Sequence, residues 1–119
     1  MSKAQLRCIT AAFLCIRQDK KRYCNRWIIH DVLYDLLVEQ ELVSLKLVPK
    51  DRFNRIASKA CGECGELIDH KLNTLVGVLR MNKQMKGQKI YGYYFRVFGE
   101  EECKEPPKDA DDFYTVAFK

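Results

Sequence analysis

The stretch "KIYGYYFRVF", residues 89–98, decides the fold class because aromatic side chains alternate along it. In an extended chain, successive side chains point to opposite faces of a sheet. One face of such a strand would carry Tyr91, Tyr93, Phe95 and Val97. The preceding dipeptide Lys86-Gly87 is typical of a turn. The sequence therefore predicts a β-hairpin at this place.

Upstream of the hairpin, the sequence predicts helices and one short strand. Residues 3–18 form the first helix, because apolar residues recur there at helical spacing. These residues are Leu6, Ile9, Phe13 and Ile16. Asn25 offers an N-cap to a second helix, which is apolar on more than one face and therefore central. Residues 44–48 alternate between polar and apolar side chains, which predicts a short strand.

A third helix is predicted to begin at Pro49, where the missing N–H of proline costs nothing. Its apolar face consists of Phe53, Ile56, Ala57 and Ala60. Its other side carries a basic edge formed by Arg52, Arg55 and Lys59. We interpret this edge as a candidate surface for an anionic partner.

A fourth helix is predicted after the glycines at positions 62 and 65. Its inward stripe would consist of Ile68, Leu72, Leu75, Val76 and Leu79. Its outward row would consist of Glu66, His70, Asn73, Gly77 and Arg80. Asparagine and arginine side chains can hydrogen-bond to the edges of adenine and guanine bases, so this row is a second candidate surface for nucleic acid.

Length and composition indicate one domain. The chain has 119 residues, of which 47% are hydrophobic, enough to close a single core. We expect this domain to cover residues 1–99, followed by an acidic linker over residues 100–112 and a strand-like segment over residues 113–119. Apolar runs are too short to cross a bilayer and the N-terminus lacks secretory features, so we expect no membrane partner and a nuclear or cytoplasmic location.

The charge is distributed unevenly along the chain. The net charge of the chain is +5. Residues 1–99 hold 18 basic and 9 acidic side chains, whereas residues 100–118 hold 2 basic and 7 acidic side chains. A basic body favours polyanionic partners, nucleic acid first, and an acidic tail either shields that surface or contacts another partner. The alternative is that both charges only keep the protein in solution.

The motif "CGEC" raises the question of a metal site. Cys61, Cys64 and His70 supply at most three ligands, whereas a structural zinc needs four. We therefore expect no metal and no cofactor, and interpret the motif as a tight join between two helices. Phosphate loops, nucleophile–base pairs and paired carboxylates in a recognisable frame are also missing from the sequence, so we expect a protein that is not an enzyme.

The order helix, strand, helix, helix, hairpin over residues 26–98 resembles the winged-helix form of the helix-turn-helix family. The segments "VPKDRFNRIASKAC" and "KGQKIYGYYFRV" are also similar to winged helices of the regulatory factor X family and of viral helicase-primases. The expected fold is thus mostly α with a small β-hairpin (α+β): a winged-helix-like three-helix core, an extra N-terminal helix and a strand-like tail. Because residues 61–85 are longer than the corresponding join in those families, either of two helices can match the recognition helix.

The resemblance implies binding of duplex DNA in transcription, chromatin or replication, with one helix in the major groove and the hairpin on the backbone. The residues expected to bind nucleic acid are Arg52, Arg55, Lys59, His70, Asn73, Arg80, Lys83, Lys86 and Lys89. Winged helices also serve as protein-interaction modules, which is the alternative function. In that case a protein partner, or a second copy of the chain, would bind Phe113, Tyr114, Val116 and Phe118.

Overall fold

In the computed structural model, the described residues include three helices that lie against one side of a four-stranded antiparallel sheet. Residues 3–18, 23–60, 66–69, 74–96, 107–108 and 113 are described. The elements are α1 (Lys3–Gln18), β1 (Trp27–Ile29), α2 (His30–Glu39), a 3-10 turn (Lys50–Arg52), α3 (Phe53–Ala60), β2 (Glu66–Asp69), β3 (Thr74–Met85) and β4 (Gln88–Phe95). The strand order in the sheet is β1-β4-β3-β2. The protein is therefore a small α+β domain, as the sequence predicts at this coarse level.

Helices α1 and α3 form where their apolar spacing predicts them. The bounds of α1 agree with the prediction, and Ile9, Phe13 and Ile16 on it are buried. In α3, the whole predicted apolar face is buried, and Pro49 stands as the N-cap of the preceding 3-10 turn. The Pro49 carbonyl oxygen accepts a hydrogen bond of 3.0 Å from the Arg52 N–H, which closes that turn.

The β3–β4 hairpin is confirmed, and its turn has the geometry that two-residue hairpins favour. Lys86 and Gly87 both have positive φ, at 49° and 79°. Such angles match the twist of the flanking strands, and glycine adopts them without a steric penalty. The register pairs Arg80 with Tyr93 and Asn82 with Tyr91 across the hairpin.

The prediction of a fourth helix is wrong, since residues 66–69 and 74–85 form strands β2 and β3. The apolar spacing fits a helical stripe, but a glycine at position 77 would weaken a helix interior by about 1 kcal/mol. As a strand, the segment pairs in antiparallel register with all eight residues of β4. Tertiary pairing therefore outweighs the local periodicity, and the outward helical row that was to contain Arg80 does not exist.

Two smaller predictions are also wrong. Residues 44–48 form a turn, in which the N–H groups of Leu47 and Val48 donate to the Ser44 carbonyl oxygen at 3.1 and 2.9 Å. Asn25 does not cap the second helix. It has a φ of 64°, its N–H donates to the Phe95 carbonyl oxygen at 2.8 Å, and it leads the chain into β1. Strand β1 therefore stands where the first turn of the predicted helix was expected, and the helix begins only at His30.

Each face of the sheet is covered by its own apolar cluster. On the helix side, Phe13 makes edge contacts with Tyr93 and Phe95, with ring centroids 5.5 Å apart in both pairs. This main core also holds Ile28 and Val78 from the sheet. On the outer side, a smaller cluster consists of Trp27, Met81, Ile90, Tyr94 and Phe113. The alternation of β4 therefore directs Tyr93 and Phe95 inward and Ile90 and Tyr94 outward.

Candidate functional site

A polar cleft of about 290 Å³ lies where α3 faces the β3–β4 hairpin. Its lining residues are Asp51, Asn54, Arg55, Ser58, Arg80, Asn82 and Tyr91. Two of the seven are arginines and one is an aspartate, so the lining carries a net positive charge. Because the other lining side chains are an alcohol, two amides and a phenol, the cleft can donate hydrogen bonds to an anion from several directions.

The amphipathic pattern of α3 places three of these side chains on the cleft. Phe53, Ile56 and Ala57 turn into the core, so Asn54, Arg55 and Ser58 emerge on the other side of the helix. The opposite wall comes from the sheet. Arg80 and Asn82 are two residues apart on β3 and therefore share one face, and Tyr91 lies directly across from Asn82 on β4.

One hydrogen bond holds the two walls together. The Tyr93 hydroxyl, on a fully buried ring, donates to the Asn54 Oδ1 at 2.6 Å. Since the amide oxygen of Asn54 is used in this way, its amide nitrogen is the group that can donate into the cleft. This hydrogen bond, together with the packing of the buried face of α3, fixes the position of α3 on the sheet.

Arg80 is an unusual residue for its position. Its Nε is buried and has no hydrogen-bond partner among the described residues. Within the same part of the chain, neither Arg80 nor Arg55 has a carboxylate within ion-pair distance. A buried donor without a partner costs about 1–3 kcal/mol. Within the described residues, the cleft therefore holds two guanidinium groups that no carboxylate neutralises, and the buried Nε of Arg80 costs stability.

The neighbouring basic residues differ in their availability. Lys50 Nζ lies 3.2 Å from Asp35 Oδ1 and 3.9 Å from Asp31 Oδ1, so it is engaged with α2. In contrast, Arg52 and Lys59 are exposed. On the hairpin, Lys89 is exposed and its Nζ lies 5.8 Å from the centroid of the Tyr91 ring, at the side of the cleft.

The structure brings together some of the predicted nucleic-acid residues and separates others. Arg55 of the basic edge and Arg80 of the predicted fourth helix line one cleft, although the sequence pattern places them on two different surfaces. Arg52, Lys59, Lys86 and Lys89 are exposed around it, on α3, the 3-10 turn and the hairpin. Lys83 pairs with Ile90 in the sheet. His70 and Asn73 lie outside the described residues.

Sequence reasoning missed the other polar residues that line the cleft, namely Asn54, Ser58, Asn82, Tyr91 and Asp51. The first two were visible as the polar positions beside Arg55 on an amphipathic helix. Polar and apolar residues also alternate at Arg80, Met81 and Asn82. This pattern places Arg80 and Asn82 on one face only if the segment is a strand.

Among the residues that the structure describes, no cluster of three His, Cys, Asp or Glu side chains could hold a metal ion. Cys61, Cys64 and His70 lie outside those residues. Within the described residues, Cys8, Cys15 and Cys24 form no disulfide. Of these, Cys24 is buried, whereas Cys15 is exposed on α1.

The predicted partner-binding segment is described at one residue. Phe113 is only 5% exposed and packs on the outer face of the sheet, so in this structure its ring is occupied within the chain. Tyr114, Val116 and Phe118 lie outside the described residues.

A search of the described helices for membrane spans finds none that is both long and apolar enough to cross a bilayer. In comparisons with known proteins, the chain matches no protein-family model, no curated protein and no solved structure.

Proposed function

We propose that the protein binds duplex DNA as a winged-helix module acting in transcription, chromatin or replication, with α3 and the β3–β4 hairpin as its interface. The observation that carries the proposal is the cleft between these two elements. There, Arg55 and Arg80 meet without a carboxylate partner among the described residues. Arginine in such a setting suits phosphate oxygens, which its planar guanidinium contacts through two parallel hydrogen bonds.

The topology supports the winged-helix part of the proposal. The order α1, β1, α2, α3, β3, β4 is helix, strand, helix, helix and a final hairpin, with β1 next to β4 in the sheet. In winged helices the helix before the hairpin is the one that enters the major groove. By this correspondence α3, and not the segment after it, is the recognition helix. Strand β2 is then an addition at the far edge of the sheet.

The two walls of the cleft suggest different tasks on DNA. Arg55 and Lys59 on the exposed side of α3, with Arg52 of the preceding 3-10 turn, would reach into the major groove. Lys86 and Lys89 on the hairpin would contact the backbone, which positions a protein without reading sequence. Arg80 is recessed in the cleft, so its partner would be a phosphate rather than a base edge.

The experiment is a fluorescence-anisotropy titration of the protein with random duplex and single-stranded oligonucleotides at two salt concentrations. Binding through several phosphate contacts weakens steeply with salt, with a slope of about −0.9 in log K against log salt for each contact. Lys86→Ala and Lys89→Ala should each reduce affinity for all duplex sequences and lower that slope by about one contact. Lys46→Ala is the matched control, since Lys46 is exposed on the 44–48 turn, outside the cleft.

Circular dichroism must first show that each variant is folded. The proposal fails if the parent does not bind duplex DNA. It also fails if the two hairpin variants bind as the Lys46→Ala control does, because the hairpin would then not be part of a DNA-binding surface. Stronger binding to single strands than to duplex would replace the duplex proposal with a single-strand one.

A second candidate function is a protein-interaction module, and the outer face of the sheet favours it. Trp27, Met81, Ile90 and Tyr94 form an apolar cluster there, on the side away from the helices, and Phe113 of the predicted partner-binding segment packs on it. An apolar interface should respond little to salt, whereas DNA binding should weaken strongly, so the same titration series separates the two functions.

A further inference from the structure

The cleft between α3 and the hairpin has the footprint of one small molecule. On its helix wall the lining residues follow one another at helical spacing: Asp51, Asn54, Arg55 and Ser58. This wall is therefore about 10 Å long. On the sheet wall, Arg80 and Asn82 are two positions apart, which is about 7 Å along a strand. A DNA duplex, whose major groove alone is about 12 Å wide, cannot enter a space of about 290 Å³.

The position of Arg80 calls for a ligand that does enter the cleft. Arg80 is half-buried, and its Nε is buried and has no hydrogen-bond partner among the described residues. A phosphate that stays at the mouth of the cleft leaves this nitrogen without an acceptor. A phosphate carried by a single nucleotide can project further inward, where Arg80 and Arg55 face it from opposite walls.

Asp51 indicates that the ligand is more than a simple anion. It lines the same cleft as the two arginines, and in the described part of the chain it has no cation within ion-pair distance. A carboxylate repels phosphate but accepts hydrogen bonds from hydroxyl and amino groups. A ligand that suits the whole lining therefore carries both an anionic group and hydrogen-bond donors.

Asn82 and Tyr91 supply the groups that bind a nucleobase. They lie opposite each other on β3 and β4. An asparagine amide can bond to both N6 and N7 of adenine, and aromatic rings stack on any base. The ring of His30 makes an edge contact with the Tyr91 ring at 5.5 Å between centroids, and its Nδ1 lies 3.3 Å from the Tyr91 carbonyl oxygen. The aromatic group is thus held in place before a ligand binds.

We propose that this cleft binds one nucleoside monophosphate, whose phosphate is held by Arg80 and Arg55. The sugar hydroxyls donate to Asp51, and the base contacts Asn82 and Tyr91. The ligand is either a free nucleotide or the phosphorylated end of a single strand, since both present the same chemistry. The choice of ligand rests on the proposed nucleic-acid function, but binding in the cleft requires no contact with a duplex.

Isothermal titration calorimetry of the full-length chain with adenosine 5′-monophosphate tests the proposal. Saturable binding is expected. Adenosine should bind at least about 10-fold more weakly, because the charge-assisted hydrogen bonds to the phosphate are lost. Inorganic phosphate should also bind more weakly, since it cannot contact the base-binding and sugar-binding residues. In amide NMR spectra, the nucleotide should shift resonances of α3, β3 and β4 at the cleft.

Two cleft variants should respond in different ways. Arg80→Met should weaken binding of the nucleotide by about 10- to 100-fold and affect adenosine much less. Asp51→Ala should weaken the nucleotide by about 3- to 10-fold. The same variant should bind inorganic phosphate more tightly, because a repelling carboxylate is removed. Arg7→Met is the matched control, since it removes an exposed arginine of α1 that does not line the cleft.

Competition distinguishes the two sources of the ligand. A single-stranded oligonucleotide with a 5′-phosphate and the same oligonucleotide with a 5′-hydroxyl are each added to the complex with adenosine 5′-monophosphate. If the cleft holds strand ends, the phosphorylated strand displaces the nucleotide and the hydroxyl strand does not. If the cleft holds free nucleotides, neither strand displaces it. Both results support a nucleotide in the cleft.

Several results would overturn the proposal. One is the absence of saturable binding of adenosine 5′-monophosphate by the parent. Another is equal affinity for inorganic phosphate or for a phosphoserine peptide, because the site would then recognise phosphate alone. Equal displacement by both strands, or an equal effect of Arg7→Met and Arg80→Met, would also contradict it. If Arg80→Met does not fold, Asp51→Ala decides, and a change of the same sign for nucleotide and phosphate counts against the proposal.

Failure of this inference is distinguishable from failure of DNA binding. A parent that binds duplex DNA through Lys86 and Lys89 but does not bind the nucleotide refutes the nucleotide site alone. A parent that binds the nucleotide but no duplex refutes the DNA-binding function alone.

Discussion

Replacing Arg80 by methionine should stabilise the fold and weaken polyanion binding at the same time. Methionine keeps most of the length of the side chain but removes the charge and the buried Nε that has no hydrogen-bond partner among the described residues. It also removes repulsion between Arg80 and Arg55 across the cleft. A residue retained at a cost in stability is expected where function needs it.

The size of both effects follows from the geometry. A buried unsatisfied donor costs about 1–3 kcal/mol, and the lower end applies because Arg80 is only partly buried. A gain of about 1 kcal/mol corresponds to a rise in Tm of roughly 4 °C for a domain of this size. Loss of one phosphate contact lowers the salt slope by about 0.9, so the ratio of affinities at about 50 and 200 mM salt should fall by roughly 3.5-fold.

The assay combines thermal unfolding followed by circular dichroism with anisotropy titrations of random duplex DNA at the two salt concentrations. Arg7→Met is the matched control, because Arg7 is an exposed arginine on α1 that does not line the cleft. A lower Tm together with an unchanged salt slope would refute the reasoning, since Arg80 would then be a stabilising residue with no role in anion binding. An equal effect of Arg7→Met would show that net charge, and not the cleft, governs affinity.

Three further measurements test other parts of the structure. Tyr93→Phe removes the hydrogen bond to Asn54 Oδ1 and should lower the free energy of unfolding by about 1 kcal/mol in urea titrations, and an unchanged midpoint would show that this bond does not hold α3. Burial raises the pKa of the Tyr34 phenol, whose hydroxyl donates to the Val48 carbonyl oxygen at 2.5 Å. Because the folded protein then holds this proton more tightly than the unfolded chain, the stability from the neutral phenol is complete below about pH 10 and is lost as pH rises through the raised pKa. Tyr34→Phe should flatten this alkaline loss, and parallel stability curves for parent and variant would contradict it. Finally, treatment with a chelator should leave Tm unchanged, because the apolar cores suffice for folding, and about one zinc per chain in elemental analysis with unfolding on chelation would overturn this.

The sequence determined the elements whose local pattern agrees with their final surroundings. The apolar spacing of α1 and α3 identifies helices whose buried faces are those that contact the sheet, so periodicity and packing call for the same conformation. The hairpin turn at Lys86 and Gly87 also follows from local chemistry, since glycine accepts the positive φ that the turn requires. For these elements, neighbouring residues along the chain carry the physical information.

Tertiary structure decided the elements in which a distant partner outweighs local preference. The apolar residues from Ile68 to Leu79 fit a helical stripe equally well, and only pairing with β4 makes residues 74–85 a strand. That change moves Arg80 from a supposed outer row into a cleft beside Arg55, which lies 25 positions earlier in the chain. Likewise, the space above Gly92 has meaning only because Phe113 packs there. A periodic pattern specifies which face of an element is buried, but the hydrogen-bonding partners of a strand and the contents of a gap belong to residues far apart in sequence, and only the folded chain brings them together.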